Sequence, residues 1–564
     1  ALTSEKTVRI ERELAEIETA KDDSNRMFKA IKSMNRMKPK TPLVVEDEEG
    51  ITTDEERQCE IISGFFEQMF HTGDAQEIED IPPRRITDPF TEQEVRKAIS
   101  SLKNNRSSGI DELKAEYLKN GPDIICKKIA DLLNHVAATG DPPKEMITGI
   151  LVPLQKPGKR RGPPSNLRPV ILLSMLRKII AICLIRRIGE RINQQIPPTQ
   201  AAYCSGGGTT EQLLTIKLVA EKAAVTPNYK THLLLMDMSK AFDRVERGMV
   251  IEDLKSILEE DELHLVKILM KDVKLAVRVN KKLGQEFTTN IGVPQGDCLS
   301  PILFTLYLAN ALKGNTRIEA ESEQKKSKLP QHLQDHNYSS MRSIGTLIPL
   351  QYADDICWVG MNCSHNIDDI KDTVPSVLEA RNLQVNEEKT EEYHIMKYGQ
   401  DDSWKRCKYL GTLLDTTEDI KRRKGLANGA MERIKHISKD KRLPTKTKIR
   451  AFNAYTSSVF LYNSETWTVN KTTADGIDSF HRRQMRNAIN IKWPKKISNI
   501  RLYEETKQAP WSLTIQKRRL RLYGHIMRLP ETTPVRMALH EYDRPLKMSR
   551  GGPKTTWGKT IKMI

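Results

Sequence analysis

Two adjacent carboxylates, Asp354 and Asp355, interrupt an apolar stretch and constrain the fold more than any other feature of the sequence. Apolar residues precede them from Leu347 to Leu350 and follow them as Ile356–Gly360. This pattern predicts a β-hairpin with the two acids at its tip. Burial of two neighbouring carboxylates is costly unless a positive group lies close to them. A divalent ion at the tip is the simplest positive group, and a solvated Asp-Asp turn is the alternative.

A second apolar run also ends in a carboxylate. Thr231–Met236 is predicted to be a buried strand, and Asp237 follows at its C-terminal end. An acid in this place is, on its own, more often a helix cap than a catalytic group. If Asp237 ends the strand beside the hairpin, however, three carboxylates converge. Three hard oxygen ligands suit Mg²⁺, and two such ions about 4 Å apart can support in-line phosphoryl transfer.

Two loops carry residues suited to a phosphorylated ligand. The basic, Gly- and Pro-rich loop Lys156–Pro164 precedes Asn166–Val170, so that Lys156 and Arg168 could clamp a triphosphate. The turn-rich loop Ile291–Pro301 leads into an apolar helix, and its glycines would let the backbone approach a ligand closely.

Positive charge is concentrated near the C-terminus. The net charge is +17, and residues 401–564 alone hold 36 basic and 15 acidic residues, a net charge of +21. A single basic run is more often a solvated helix face, but a block of this size favours a polyanionic partner such as nucleic acid. No stretch approaches the about 18 apolar residues of a membrane span, so no membrane partner is expected. The scattered cysteines fit a reducing compartment.

The order of these blocks resembles the reverse transcriptases of non-LTR (LINE-type) retrotransposons, most closely the RTE-like clade. One block, Tyr-x-Asp-Asp, is short and weak alone, but five blocks in the family's order are specific. They are the segment with Lys156 and Arg168, Asp237–Asp243, Pro294–Gly296, Tyr352–Asp355 and Tyr409–Gly411. The core similarity covers about residues 100–415. It extends through Asn463–Trp467, Arg521–His525 and Arg550–Lys554.

The resemblance implies an α/β (α+β) right-hand polymerase. The fingers, a palm with an antiparallel sheet and helices, and a helical thumb would be joined by a basic, mainly helical C-terminal region. The expected boundaries are 1–90 for an N-terminal helical extension, 91–230 for the fingers, 231–415 for the palm with an exposed insertion at 313–345, 416–500 for the thumb and 501–564 for the C-terminal region. A helix is expected at 5–40 and another at 54–70.

The resemblance also assigns roles to residues. The catalytic, metal-binding acids would be Asp237, Asp354 and Asp355, with the Met238 carbonyl as a further metal ligand. The nucleotide-binding residues would be Lys156, Arg168, Lys240, Ala241, Phe242, Gln295 and Lys389. Among these, Phe242 would exclude a ribose 2′-hydroxyl, and Lys389 would protonate or stabilise the leaving pyrophosphate. The primer and template contacts would be Tyr409, Leu410, Gly411, Lys517, Arg518 and Arg519. Packing in the core remains the alternative for Phe242 and Tyr409, as a surface cation does for Lys389.

Cofactors and partners follow from the same resemblance. They are two Mg²⁺ ions, with Mn²⁺ as an alternative, a template RNA, a DNA primer at a nicked target, and dNTPs. The expected location is the nucleus and cytoplasm. About 90 residues precede the core, too few for the apurinic-type endonuclease of RTE-like proteins. We therefore expect that activity from an upstream segment or in trans.

One segment departs from the family pattern. Cys204–Gly208 reads Cys-Ser-Gly-Gly-Gly, where the family usually has Arg-Pro-Gly-Arg-Ser. Two arginines expected at the template are therefore missing. The alternative function is accordingly a catalytically decayed or domesticated remnant that binds nucleic acid without turnover.

Overall fold

The computed structural model describes the chain except for several segments. The described residues are 15, 42–48, 50–204, 206–226, 229–313, 346–361, 367–397, 402–543 and 555–562. The helix expected at 5–40 and, apart from residue 313, the insertion at 313–345 lie outside them. Among the described residues, no helix is long and apolar enough to cross a membrane.

The described chain contains twelve strands and twenty α-helices, which we number separately in chain order. Strands β1 to β12 are Val45–Asp47, Gly50–Thr52, Thr148–Gln155, Leu167–Leu172, Thr231–Met236, Lys274–Val279, Lys282–Thr288, Thr346–Tyr352, Asp355–Met361, Glu391–Ile395, Lys408–Tyr409 and Thr412–Leu413. Helices α1 to α10 are Glu55–Phe70, Glu92–Ser101, Ala115–Lys119, Ile124–Thr139, Lys144–Ile147, Met175–Gln195, Thr209–Val225, Arg247–Lys255, Glu260–Met270 and Ser300–Lys313. Helices α11 to α20 are Ile367–Glu379, Thr416–Arg433, Lys435–Lys439, Thr445–Phe452, Ser458–Phe460, Lys471–Ala488, Asn499–Thr506, Trp511–Arg528, Pro534–Asp543 and Trp557–Lys562.

Local sequence signals set the ends of several helices. Thr91 caps α2, because its hydroxyl accepts a hydrogen bond from the Glu94 N–H while the Glu94 carboxylate accepts one from the Thr91 N–H. This reciprocal pair of hydrogen bonds is a capping box. Helix α1 begins after Asp54, whose side chain accepts from Arg57 N–H, and it confirms the helix expected at 54–70.

The first four-stranded sheet has the order β4-β3-β6-β7 and combines two separate parts of the chain. Strands β3 and β4 are antiparallel, with Val152 opposite Val170. Strand β6 joins β3 in parallel, with Val277 opposite Leu151. Helix α1 packs on β6 and β7, and Phe66 is 1% exposed in the core between them.

The second four-stranded sheet has the order β10-β5-β9-β8 and is antiparallel throughout. One face, which includes Leu234 and Trp358, packs in the core that holds α10. The other face, which includes Leu233 and Val359, packs against α7. Burial on both faces explains why β5 is apolar almost without interruption. Strand β8, which contains Pro349, lies at the edge, where a residue without an N–H is tolerated.

Helices α12 to α17 and the first half of α18 enclose a third core, which is rich in aromatic rings. Trp511 stacks on Phe460 with ring centroids 4.4 Å apart. The centroid of the Trp511 ring also lies 6.0 Å from that of Phe452 and 4.3 Å from that of His481. Trp467 and Trp511 therefore belong to this core, since they are 0% and 3% exposed.

The last helices fold back onto the second sheet. Helix α18 contributes Ile515 to the helical core and Ile526 to the core of the second sheet. The final helix α20 is fixed to α7, because the Trp557 N–H donates to Glu221 at 3.1 Å. The Trp557 indole N–H donates to the Glu465 carbonyl at 2.9 Å.

The expected domain boundaries consequently need correction. Residues 274–288, expected in the palm, belong to the first sheet with β3 and β4. Residues 55–70, expected in an extension, cover that sheet. Helix α7, expected in the fingers, packs on the second sheet. The boundary at 500 is also misplaced, because the helical core continues through Ile515. These errors share one cause: long-range pairings, which the order of the sequence does not reveal, decide which sheet a segment joins.

Candidate active site

The three predicted acids meet at one end of the second sheet. Asp237 directly follows β5, and Asp355 opens β9. These strands are hydrogen-bonded neighbours, with Met236 opposite Ile356, so the acids at their ends are close. Asp354 lies in the turn between β8 and β9. The sequence prediction of a hairpin with the acids at its tip agrees with this geometry.

The carboxylates raise each other's affinity for protons. Burial raises the pKa of Asp355 to about 6, and the nearby Asp354 and Asp237 add to the rise. Burial also raises the pKa of Asp354, to which the charge of Asp237 contributes. Clustered, partly buried carboxylates of this kind are typical of functional sites, since a structural role would not favour the mutual repulsion.

Lys389 supplies a positive charge to this cluster. Its ammonium nitrogen lies 2.6 Å from Oδ2 of Asp237. A backbone hydrogen bond fixes the segment that carries this lysine. It runs from the Asn386 N–H to the Asp237 carbonyl at 2.7 Å. The side chain of Lys389 remains 59% exposed, so a competing cation can displace it without opening the core.

The donor set suits a hard divalent cation, although the side chains are not arranged around one. Three carboxylates supply oxygen ligands of the type that Mg²⁺ prefers, and burial, with the charge of neighbouring carboxylates, raises the pKa of Asp354 and Asp355. Among the described residues, no group of three His, Cys, Asp or Glu side chains has the geometry of a metal site. The contact between Lys389 and Asp237 explains the difference, because it draws one carboxylate towards an ammonium group.

The turn that carries Asp354 is strained and braced from outside the hairpin. Ala353 has φ +55°, in the left-handed region that is unfavourable for a residue with a Cβ. Gln200 holds this residue, because its Oε1 accepts from the Ala353 N–H at 3.1 Å. Gln212 in turn holds the backbone next to Gln200, because its Nε2 donates to the Thr199 carbonyl at 2.7 Å. The sequence analysis gave neither glutamine a role.

The four predicted nucleotide-binding cations lie near one another and beside the acids. Lys156 lies near Arg168, Lys240 and Lys389, and the three neighbouring charges add to burial in lowering the pKa of Lys156. Its ammonium nitrogen donates to the Ser165 carbonyl at 2.8 Å. Arg168 and Lys240 are exposed. This cluster of four cations, which contains the carboxyl of Asp243, is suited to bind an anion such as a triphosphate.

Phe242 and Gln295 lie in the same region, on two segments joined by the hydrogen bond from the Val293 N–H to the Phe242 carbonyl at 2.9 Å. Phe242 is partly buried and stacks on Phe304 with ring centroids 4.3 Å apart. Gln295 donates from Nε2 to Oδ1 of Asp243 at 2.9 Å. Ala241 is 3% exposed and Met238 is 4% exposed, so both could contact a ligand chiefly through their backbone atoms.

Asp243 is a functional candidate that the sequence analysis did not single out. It is 4% exposed, and burial raises its pKa to about 6. Lys240 and Lys156 lie near it and partly oppose this rise. Its position directly after Phe242 was the available signal, but an Asp at the start of a helical segment is usually a cap.

A buried ion pair fixes the loop that presents Gln295. Arg177 lies 2.9 Å from Asp297, and their side chains are 2% and 3% exposed. Gly296 has φ +135°, and a Cβ on it would lie 2.4 Å from the Ile171 carbonyl oxygen. A side chain at this position would displace the loop, which explains the glycine.

The predicted primer contact at Tyr409 needs correction. Its side chain is 4% exposed and packs in the core of the second sheet, and its hydroxyl has no hydrogen-bond partner among the described residues. The core-packing alternative therefore holds for this ring. The turn that follows is accessible, because Leu410 and Gly411 are only partly buried.

The basic run at 517–519 also needs correction. Arg519 is 2% exposed and donates to the Trp557 carbonyl at 3.1 Å, so it cannot contact a phosphate. Burial lowers its pKa to about 10. Arg518 is partly buried and donates to the Leu461 carbonyl at 2.7 Å. Lys517 is exposed and keeps its predicted role. The run spans more than one face of α18, as the periodicity of a helix requires.

Comparison with protein-family models identifies one match. Residues 154–414 match the family described as "Reverse transcriptase (RNA-dependent DNA polymerase)". This range includes all four strands of the second sheet, three of the four strands of the first, the three acids, the cluster of cations and the turn at 410–411.

Curated relatives match over a similar length. The RNA-directed DNA polymerase from mobile element jockey of Drosophila funebris is 29% identical over 225 residues, which is 40% of this chain and 24% of the relative. The probable RNA-directed DNA polymerase from transposon BS of Drosophila melanogaster is 27% identical, over 39% of this chain and 25% of the relative. The chain thus spans about a quarter of the length of these relatives.

Solved structures of low similarity were also found. Apo telomerase from Candida tropicalis, truncated from its C-terminal domain, is 13% identical, covers 48% of this chain and 55% of its own, and has a TM-score of 0.35. A second structure of apo telomerase from the same organism is 12% identical over 71% of this chain and 70% of its own, with a TM-score of 0.34.

Proposed function

We propose that this chain, whose residues 154–414 are a reverse transcriptase domain, is the RNA-directed DNA polymerase of a non-LTR retrotransposon. The observation that carries the proposal is the meeting of Asp237, Asp354 and Asp355 at one end of the second sheet, beside a cluster of cations. The names of the curated relatives support the non-LTR type.

The acids would hold the divalent metal ions on which reverse transcriptases depend. We propose two Mg²⁺ ions, with Mn²⁺ as an alternative, held by the three carboxylates and the Met238 carbonyl. When bound, such ions stabilise charge on the attacking and leaving oxygens of a phosphoryl transfer. Lys389 would then leave Asp237 and become available to another anion.

The reaction would be nucleotidyl transfer. The primer 3′-hydroxyl attacks the α-phosphate of a dNTP, the new phosphodiester bond forms, and the bond to pyrophosphate breaks. Lys156, Arg168 and Lys240 bind the triphosphate, and Lys389 stabilises or protonates the leaving pyrophosphate. Proton donation by a positioned side chain contributes about 10²- to 10⁴-fold to such rates.

The remaining residues would orient the nucleotide. Gln295 contacts it with an amide whose orientation is set by the bond to Asp243. Phe242 lies where its ring would meet the sugar and exclude a 2′-hydroxyl. Its stacking on Phe304 fixes the ring, which a steric gate requires.

The proposed partners are a template RNA and a DNA primer. Priming from a nicked chromosomal target in the nucleus fits the relatives' class, with the protein made in the cytoplasm. We propose that nicking is supplied by an upstream segment or in trans. Residues of the helical thumb, with net positive charge, would hold the duplex through its phosphates.

A decayed, non-catalytic remnant is the second candidate, and the Cys204–Gly208 segment is the observation in its favour. The three intact acids and the complete cation cluster favour an active enzyme. A primer-extension assay with an RNA template, a DNA primer, dNTPs and Mg²⁺ separates the two. Extension that is lost in Asp354→Asn supports the polymerase. Binding of template–primer without extension, over a range of Mg²⁺ and Mn²⁺ concentrations, would favour the remnant.

A further inference from the structure

The segment Leu461–Trp467 includes the block Asn463–Trp467, to which the resemblance extends, yet the proposed reaction gives it no part. In the structure it lies against the turn between β11 and β12. The Tyr462 hydroxyl donates to the Leu410 carbonyl at 3.2 Å. Asn463 donates from Nδ2 to the Thr412 hydroxyl, also at 3.2 Å. The segment therefore contacts both ends of the turn.

Charged side chains of α12 hold the same turn. Arg423 and Arg422 both donate to the Gly411 carbonyl, at 2.6 and 3.1 Å. Asp419, which is 0% exposed, accepts from the Leu413 N–H at 3.1 Å and from the Trp467 indole at 2.9 Å. Two residues of the turn have positive φ, +45° and +75°, so these bonds fix a backbone that has few alternatives.

Tyr462 is the exception to the burial of aromatic rings around it. Tyr462 is 41% exposed, whereas the neighbouring residues Phe460 and Trp467 are 0% exposed. The guanidinium carbon of Arg423 lies 4.8 Å from the ring centroid. A Cβ at Gly411 would lie 3.6 Å from the ring, an ordinary van der Waals distance, so the turn and the ring pack side by side.

The ring is also connected to the catalytic hairpin. Tyr352 lies near Tyr462, whose proximity adds to burial and raises the pKa of Tyr352. Tyr352 is in turn the cross-strand partner of Asp355. On the other side, Tyr203 is 56% exposed and lies near Tyr352 and Asp354. Tyrosine rings therefore continue from the acids towards the thumb.

We propose that Tyr462 is a primer-binding residue, whose exposed ring and the adjoining Leu410–Gly411 backbone form one surface for the primer strand next to the catalytic acids. The inference rests on the proposed polymerase function and adds a contact to it. The surface lies at the end of the hairpin where a primer terminus must reach the acids. The ring offers an apolar face for a sugar or base, and Arg422, which is bonded to the same turn and has a side chain that is 31% exposed, offers a charge for phosphate.

The structure explains why the contact would be effective. The tyrosine hydroxyl is held by the Leu410 carbonyl and one region of its ring by Arg423, so little side-chain freedom is lost on binding. A stacked ring contributes a factor of about 5 to 150 in affinity per base, equivalent to the 1–3 kcal/mol measured for base stacking. Partial exposure places our expectation near the lower end.

The first experiment measures binding and extension with the full chain. We expect Tyr462→Ala to raise the Kd for template–primer by about five- to twentyfold and to leave the KM for dNTP unchanged. Tyr462→Phe removes the bond to Leu410 but keeps the ring, and should stay within about threefold of wild type. Trp493→Ala is the matched control, because Trp493 is 85% exposed in the loop between α16 and α17. Circular dichroism and melting temperature check the folding of each variant.

The second experiment tests for direct contact. A photo-crosslinking phenylalanine analogue at position 462 should crosslink to the primer strand within a few nucleotides of its 3′ end, and the analogue at position 493 should not. Crosslinking to the template strand only, or to neither strand, would overturn the proposal, as would wild-type primer affinity in folded Tyr462→Ala. A primer crosslink from position 462, together with a wild-type chain that never extends the primer, would instead remove the proposed polymerase function.

Discussion

Lys389 places its ammonium nitrogen 2.6 Å from the carboxylate of Asp237, although 152 residues separate them in sequence. The pair is open to solvent on the lysine side, with 59% of that side chain exposed. An exposed ion pair contributes only about 0–1 kcal/mol. The contact is therefore easily exchanged, and Lys389 can serve both as a temporary partner of the acid and as a ligand of pyrophosphate.

Replacement of Lys389 should lower both the extension rate and the Mg²⁺ concentration that extension requires. In Lys389→Met, we expect the extension rate at saturating Mg²⁺ to fall by about tenfold or more, because the leaving group loses its cation. The Mg²⁺ concentration for half-maximal rate should fall, because the competing ammonium group is gone. Single-turnover extension across a Mg²⁺ titration measures both. Lys397→Met is a control on the same part of the chain, and an unchanged rate in Lys389→Met would return the residue to a surface role.

Removal of one acid should abolish synthesis without preventing binding. In Asp355→Asn, we expect less than about 1% of wild-type extension, because a charged ligand is lost from a site that acts through electrostatic stabilisation. The Kd for template–primer should stay within a few-fold, because this acid is proposed to hold metal. Extension and fluorescence anisotropy are measured on the same preparation. Retention of more than a few per cent of activity would contradict the metal assignment.

Phe242 should determine the choice of sugar. In Phe242→Ala, we expect ribonucleotide incorporation relative to deoxyribonucleotide incorporation to rise by at least about tenfold, because the ring next to the sugar is removed. Competition between the two nucleotides in primer extension measures the ratio. Phe304→Leu tests the ring that supports Phe242 and should give a smaller rise. Unchanged selectivity in a variant that still polymerises would leave Phe242 as a core residue.

Exposed and buried cations of α18 should respond differently to salt. Lys517 and Arg521 are exposed, whereas Arg519 is buried. If both exposed residues contact phosphate, Lys517→Ala with Arg521→Ala should flatten the slope of log affinity against log salt by about 1.4–1.8. Arg519→Ala should leave the slope unchanged and lower the melting temperature, because its contacts to α20 are lost. An unchanged slope in the double variant would identify a solvated helix face.

His481 should make the thumb sensitive to acid. Its ring is 0% exposed, neither nitrogen has a partner among the described residues, and burial with the nearby Arg482 lowers its pKa to about 3. In the unfolded chain the pKa is about 6.5. Between these values the unfolded chain binds a proton that the folded chain does not. The free energy of unfolding should therefore fall with decreasing pH, by up to about 1.4 kcal/mol per pH unit.

His481→Phe tests this account. The ring remains stacked on Trp511, and the unpartnered nitrogens disappear, so we expect about 1–3 kcal/mol of added stability at pH 7. The advantage should grow as the pH falls from 6.5 towards 4. Urea unfolding at several pH values, with exposed His540→Phe as the control, measures both effects. A pH-independent difference would show that His481 does not resist protonation in the folded protein.

Local patterns made much of the site predictable from sequence. The two apolar runs that end at Asp237 and Asp354 predicted a strand and a hairpin. A site for all three acids follows once these two elements are placed side by side. The exposed loop with Lys156 and the nearby Arg168 was equally predictable, because charged residues next to Gly and Pro indicate an exposed loop.

Side-chain direction and long-range contact were not predictable. Nothing in the run Lys517–Arg519 distinguishes the buried arginine from its exposed neighbour, because helical phase is set by what packs against the helix. Nothing in the sequence distinguishes Tyr462 from Phe460, and only the position of Tyr462 beside Gly411 separates the two. The pairing of β6 with β3 joins positions 126 residues apart between Thr148 and Lys274, and no local signal encodes such a partner.

The attachment of α20 to α7 has a consequence for the order in which the protein acquires its structure. The second sheet and α7 leave the ribosome long before Trp557 is synthesised, and during that interval the apolar surface that α19 and α20 will cover has no partner. Nascent chains with exposed apolar surface depend on chaperones and are prone to aggregate. A ribosome that stops before residue 557 releases a chain with every proposed catalytic group but without its closing helix, so premature termination far from the acids is expected to be as damaging as their loss.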